Sequence, residues 1–183
     1  MLGLMLFGLG ESLLIASGMG VSPWTVLAQG IALKASWSIG FATLVISLII
    51  LFLWIPLSQP PGIGTVLNAL IIALMIDCSL ILLPYPQTLV WQLLQAAVGV
   101  LVVGIGSGIY LTANLGPGAR DGLMTGLQRK TGLPIAWIRI ALEVTVVGIG
   151  WHVGGLIGVG TLLFAFGVGP YVAIGLLLVR RLG

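Results

Sequence analysis

Glu11, Asp77, Arg139 and Glu143 are ionisable residues set inside strongly apolar runs of sequence. A charge at membrane depth costs at least ~2.5–3.5 kcal/mol on insertion scales, so such groups face a cavity or one another. Glu11 falls near the middle of the first run and Asp77 in the outer half of the third. Arg139 and Glu143 lie in the fifth, four residues apart on one helical face, where they can pair. The chemistry suited to them is a hydrated midplane site at which Glu143 or Glu11 takes up and releases a proton or cation, with Arg139 positioning an anion or tuning a carboxylate. A plainer alternative has Arg139 snorkelling to the membrane face, neutralised by Glu143, and Asp77 reaching the headgroups. His152 falls at an outer helix end, where an interfacial histidine needs no role.

A second group of residues breaks the apolar runs. NLGPGARDG, residues 114–122, places Arg120 and Asp121 side by side in a glycine-proline break, headed by the polar Asn114, in a chain that is only 6% charged. Its counterpart GMGVSPWTV, residues 18–26, contains Gly20, Pro23 and Trp24. Two GxGT motifs, Gly62 to Thr65 and Gly158 to Thr161, each precede an apolar helix. Their glycines, Gly64 and Gly160 included, allow close backbone approach, and Thr65 and Thr161 can cap a helix whose free N–H groups attract anionic or polar groups. Gly20, Pro23, Trp24, Gly64, Thr65, Gly116, Gly118, Arg120, Asp121, Gly160 and Thr161 are thus the candidate gate or helix-break residues. Anchoring of a fixed break by positive charge is one account of Arg120-Asp121, and a gate worked by an Arg-Asp pair is the sharper one.

Composition excludes most other chemistry. The chain is 59% hydrophobic with mean hydropathy +1.24 and contains four acids, one histidine and one cysteine, far from the balance of a soluble domain. Nucleophile triads and metal clusters have too few residues to draw on, so no enzyme, cofactor or metal is expected. Cys78 has no disulfide partner and reads as a buried apolar thiol. The N-terminus lacks a basic n-region and reads as mature protein rather than a signal peptide. The net charge of +3 reports membrane orientation, not a nucleic-acid surface.

The elements that must position these residues are all-α. Six runs are long enough to cross roughly 30 Å of hydrocarbon: 2–20, 37–56, 64–83, 90–113, 133–153 and 159–179. Two shorter segments, 23–34 and 119–130, are re-entrant half-helices or interfacial helices. A shift of 96 residues carries Gly8, Gly10, Gly20 and Gly30 onto Gly104, Gly106, Gly116 and Gly126, and one GxGT onto the other. The chain therefore reads as two repeats, 1–87 and 88–183, forming one membrane domain. Three spans per repeat is an odd number, so the repeats are inverted. With both termini inside, Arg120, Arg129, Lys130, Arg180 and Arg181 are cytoplasmic and only Lys34 is outside, as the positive-inside rule requires. Trp54 and Trp91 then mark the inner and outer interfaces. Gly8-xxx-Ser12 and Gly104-xxx-Gly108 are small-residue faces for helix contacts, within the fold or across a homodimer.

The patterns GxGxxPW, YLTANLGPGARDGLMTGLQRKTG, IRIALE and GGLIGVGT followed by GP resemble the bacterial YczE/YitT-type membrane proteins over nearly the whole chain. The resemblance implies a small polytopic bacterial inner-membrane protein and supplies no substrate. It points to Tyr110, Gly116, Gly118, Arg120, Asp121, Gly122, Arg139, Glu143, Gly154, Gly155, Gly158, Gly160, Thr161, Gly169 and Pro170. Tyr110 thereby joins Glu11, Asp77, Asn114, Arg139 and Glu143 as a candidate solute- or ion-binding residue. The first repeat departs from the pattern, with Ser22-Pro23-Trp24-Thr25 where the second has Gly118-Ala119-Arg120-Asp121. The function expected is a secondary transporter for a small polar or anionic solute, coupled through intramembrane carboxylates. A channel with re-entrant half-helices, or a substrate-binding or helper subunit of a larger membrane complex, is the alternative. The partners expected are the lipid bilayer, an unidentified small solute and a second copy of the chain.

Overall fold

The structure, a computed structural model, describes residues 1–113 and 115–182; Asn114 lies outside them. The described residues form eight α-helices: α1 Leu2–Ser17, α2 Pro23–Ala35, α3 Ile39–Trp54, α4 Ile63–Leu82, α5 Leu89–Thr112, α6 Ala119–Thr131, α7 Ile135–His152 and α8 Val159–Leu182. A 3₁₀ turn, Ile55–Leu57, extends α3, and no strand occurs among the described residues. Five helices are long and apolar enough to cross a membrane. The first run, 2–20, forms a shorter helix than its composition implies. Gly18 takes a left-handed conformation, φ 67°, and stops α1 at Ser17, leaving 16 residues, or about 24 Å of helix.

Local chemistry explains the other helix starts. Ser22 and Pro23 open α2, the proline contributing a preset φ where no N–H partner is needed. Ser38 caps α3 by accepting the Phe41 N–H at 3.1 Å. Thr65 and Thr161 each accept a glycine N–H at 3.3 Å, from Gly62 and Gly158, so both GxGT motifs start helices as their sequence indicates.

Packing radiates from the crossing of α1 and α5. There the backbones touch: a Cβ on Gly10 would lie 2.6 Å from the Val103 nitrogen, and one on Gly106 2.7 Å from the Phe7 nitrogen. α4 covers α1, α8 covers α5, α2 packs on α7, and α3 on α6. Many of these contacts come in pairs related by the 96-residue shift with the partners exchanged. Gly160 donates its N–H to the Met19 carbonyl at 2.7 Å, and Gly64 donates to the Leu115 carbonyl at 2.9 Å. Gly20, φ 104°, sits against Gly158 and Thr161; Gly116, φ 118°, sits against Gly62 and Thr65. Both positions combine positive φ with backbone contact, which only glycine satisfies. The small faces beginning at Gly8 and Gly104 are likewise spent within the chain, on Met75 and Tyr171.

Two further features position the centre of the bundle. Trp54 is not an interfacial aromatic: it is 1% exposed, donates its indole N–H to the Ala119 carbonyl at 3.0 Å, and lies in the space left by Gly122. Its polar handle is satisfied by the break before α6 rather than by headgroups. The other is that α3 packs along α4, whereas α7 and α8 share no extended contact among the described residues.

Candidate functional site

That gap opens on a cavity of about 370 Å³ at the centre of the helices. One wall carries Thr43 and Ser47 of α3 with Asn68 of α4; the facing wall carries Arg139 and Glu143 of α7 with Phe164 and Val168 of α8. Its end is formed by the first residues of the short helices, Pro23 and Trp24 of α2 and Gly118 to Asp121 around the start of α6, beside Tyr110 of α5. The 96-residue shift relates the opposing walls: Thr43 maps onto Arg139, Ser47 onto Glu143, Asn68 onto Phe164, and Trp24 onto Arg120.

The charged groups are held in different ways. Arg139 Nε donates to Glu143 Oε1 at 2.8 Å, the pair their spacing indicated, and both line the cavity. Arg120 and Asp121, by contrast, do not form an ion pair. Neighbouring residues on a helix point about 100° apart, and the two side chains diverge accordingly. The Arg120 guanidinium lies 5.5 Å from the Trp24 ring centre, a cation–π contact, while Asp121 Oδ2 accepts the Tyr110 hydroxyl at 3.1 Å. Among the described residues, Arg139–Glu143 is the ion pair within 4.0 Å, which leaves Arg120 without a direct carboxylate partner there. An Arg-Asp gate of the kind the sequence suggested therefore has no bond to break.

Glu11 is fully buried behind this end of the cavity. Its Oε2 accepts the Ser22 hydroxyl at 2.9 Å and the Thr25 hydroxyl at 2.8 Å, while Oε1 has no partner among the described residues. The carboxylate thus ties the middle of α1 to the first turn of α2, where the helix dipole favours negative charge. Glu11→Ala would leave the buried Ser22 and Thr25 hydroxyls only each other as partners, 2.9 Å apart, and open a void. We expect about 2–4 kcal/mol of lost stability, read as a lowered unfolding midpoint in detergent, with Glu11→Gln losing less.

Asp77 stands away from the cavity. Its carboxylate accepts the Ser38 hydroxyl at 2.6 Å and the Gly40 N–H at 2.8 Å, fastening the start of α3 to α4. Cys78 is exposed rather than buried, because its face of α4 has no neighbouring helix among the described residues. Sequence reasoning missed Thr43, Ser47 and Asn68. Small polar residues in apolar runs carry little signal alone, although the 96-residue shift already aligned the first two with Arg139 and Glu143.

Residues 1–175 match the family described as DUF6198, a family of unknown function. An uncharacterised protein of Haemophilus influenzae is 39% identical over 179 residues, covering 98% of this chain and 82% of that one. The uncharacterised membrane protein YczE of Bacillus subtilis is 36% identical over 171 residues, 89% of this chain and 77% of that one. YyaS of the same organism, also uncharacterised, is 28% identical over 166 residues, 88% of this chain and 83% of that one. No solved structure matches significantly. With the family match running from Met1 to Gly175 and apolar helices along the whole of that length, the chain is a membrane protein and belongs to the DUF6198 family, among YczE-type proteins.

Proposed function

We propose that this protein is a secondary transporter of a small polar or anionic solute in the bacterial cytoplasmic membrane, built as 3+3 inverted repeats with both termini cytoplasmic. The repeats are residues 1–87 and 88–183, and the short helices α2 and α6 bring their N-termini to the solute. The observation that carries this reading is the asymmetric closure of one central cavity. It lies between side chains related by the 96-residue shift, with α3 packed on α4 at one side and α7 standing off α8 at the other. Exchanged contacts such as Gly160 to Met19 and Gly64 to Leu115 support a two-fold relation between the repeats, and three spans per repeat make that relation inverted. Alternating access follows if α7 closes on α8 as α3 closes on α4. Coupling falls to the intramembrane carboxylates, Glu143 at the cavity and Glu11 behind it.

Flux in proteoliposomes, measured as solid-supported-membrane currents with a panel of small solutes and an imposed pH gradient, tests this. We expect a saturating, pH-driven response that falls about tenfold or more in Glu143→Gln, a loss of ~1.4 kcal/mol or more. A non-saturating response would indicate a channel. No response to any solute, or an unchanged one in Glu143→Gln, would count against the proposal.

A further inference from the structure

The two repeats differ most where the short helices begin, and the difference points to the solute. In the first, Glu11 Oε2 accepts the Ser22 and Thr25 hydroxyls, and the side chain fills that corner. The shift of 96 residues replaces Glu11, Ser22 and Thr25 by Ser107, Gly118 and Asp121. Carboxylate and hydroxyl thus change places, and the serine becomes a bare glycine. The Ser107 hydroxyl turns to its own helix, donating to the Val103 carbonyl at 2.8 Å, so Asp121 keeps Tyr110 as its donor. A Cβ placed on Gly118 would lie 3.1 Å from Asp121 Oδ2, 3.5 Å from Tyr110 Oη and 3.6 Å from Asn68 Nδ2. These three groups close in on the bare Gly118 backbone, where a side chain would crowd the Asp121 carboxylate.

Beside that glycine stands Arg120, held over Trp24 and without an ion-pair partner among the described residues. An arginine keeps its charge and offers a planar fork of donors suited to a carboxylate. The cavity therefore presents Arg120 and Asp121 with no ion pair between them, beside the paired Arg139 and Glu143 and the polar Thr43, Ser47 and Asn68, and its apolar wall is Phe7, Ile72, Val103, Phe164, Val168 and Val172. At about 370 Å³ it is toward the small end of ligand pockets.

From this we infer that the solute is a small zwitterion with an apolar body, its carboxylate on Arg120 and its ammonium on Asp121 and Tyr110. The inference rests on the transport proposal for the solute's passage but is tested by binding alone. Three probes share one body: L-phenylalanine, 3-phenylpropionate, which lacks the ammonium, and phenethylamine, which lacks the carboxylate. Equilibrium dialysis against the detergent-purified full chain should show L-phenylalanine bound about 10- to 100-fold more tightly than either relative, the worth of one charged hydrogen bond. Arg120→Gln should erase its advantage over phenethylamine alone, and Asp121→Asn its advantage over 3-phenylpropionate alone. Gly118→Ala should weaken L-phenylalanine most. Equal binding of 3-phenylpropionate and L-phenylalanine would overturn the inference in favour of a simple anion site. Failure of all three to bind, or variants that lose every probe alike, would overturn it too. Selective binding without flux would leave the zwitterion site standing and remove the transport reading.

Discussion

Gly10→Val and Gly106→Val are each expected to abolish the folded protein, and by similar amounts. At Gly10 an added Cβ would lie 2.6 Å from the Val103 nitrogen and 2.8 Å from the Gly99 carbonyl oxygen; at Gly106 it would lie 2.7 Å from both the Gly3 carbonyl oxygen and the Phe7 nitrogen. These are backbone atoms of the facing helix, which cannot rotate away as a side chain would, so α1 and α5 must separate. That crossing also carries α4, packed on α1, and α8, packed on α5. Overpacking of a core costs about 1–3 kcal/mol where neighbours can adjust, and more where they cannot. The gain in helix propensity on replacing glycine, at most ~1 kcal/mol, does not offset it. Fluorescence-detected size exclusion of detergent extracts should show loss of the monodisperse peak for both variants. Gly148→Ala, a site with nothing within 4 Å of the added carbon, should elute as the parent does. A wild-type profile for either valine variant would sink the account of the crossing.

The positions of these helices are largely legible in the sequence because apolar run length is a strong signal when a membrane sets the scale. The runs 64–83, 90–113 and 133–153 fall within a few residues of α4, α5 and α7. The end of α1 is misplaced by hydropathy because Ser17 to Gly20 are as tolerable to it as a helix turn, and only the conformation of Gly18 distinguishes them. The pairing of Arg139 with Glu143 is readable from spacing, since helix geometry brings residues four apart together. The separation of Arg120 from Asp121 follows from the same geometry and is obscured by their adjacency in the chain. Trp54 misleads for a different reason. Its place is set by Gly122 and the Ala119 carbonyl, far along the chain, in contacts that no local pattern encodes. Asp77 stands out in the sequence as unusual, but its partners Ser38 and Gly40 come from the preceding helix hairpin, so burial cost alone could not separate a fastening carboxylate from a binding one.

Oxidation of a cysteine pair at Ala136 and Gly169, in a Cys78→Ser background, is expected to stop the proposed transport, and a reductant to restore it. The 96-residue shift relates this pair to Gly40 and Ala73, which form the tight contact between α3 and α4. The small residue changes sides between the two pairs, so α7 has the volume to seat on α8 as α3 seats on α4. Gly169 now has nothing within 4 Å of an added Cβ, and Ala136 is exposed. A disulfide needs the two Cα atoms about 4.4–6.8 Å apart, so bridging reports closure of α7 onto α8. What holds the opposite arrangement is Asp77, whose two bonds to Ser38 and Gly40 have no equivalent in the second half, where Pro134, Ala136 and Ala173 stand. Charge-assisted bonds of this kind contribute about 1.5–3 kcal/mol each. Asp77→Ala should therefore shift the balance toward the α7-closed form and raise the initial rate of bridging about tenfold or more. Absence of any bridge under oxidant, or full flux through the bridged protein, would show that α7 is not the moving element. A bridging rate unchanged by Asp77→Ala would leave α7 mobile but uncouple it from the α3–α4 contact, and with that the reciprocal motion expected of the proposed inverted repeats would fail.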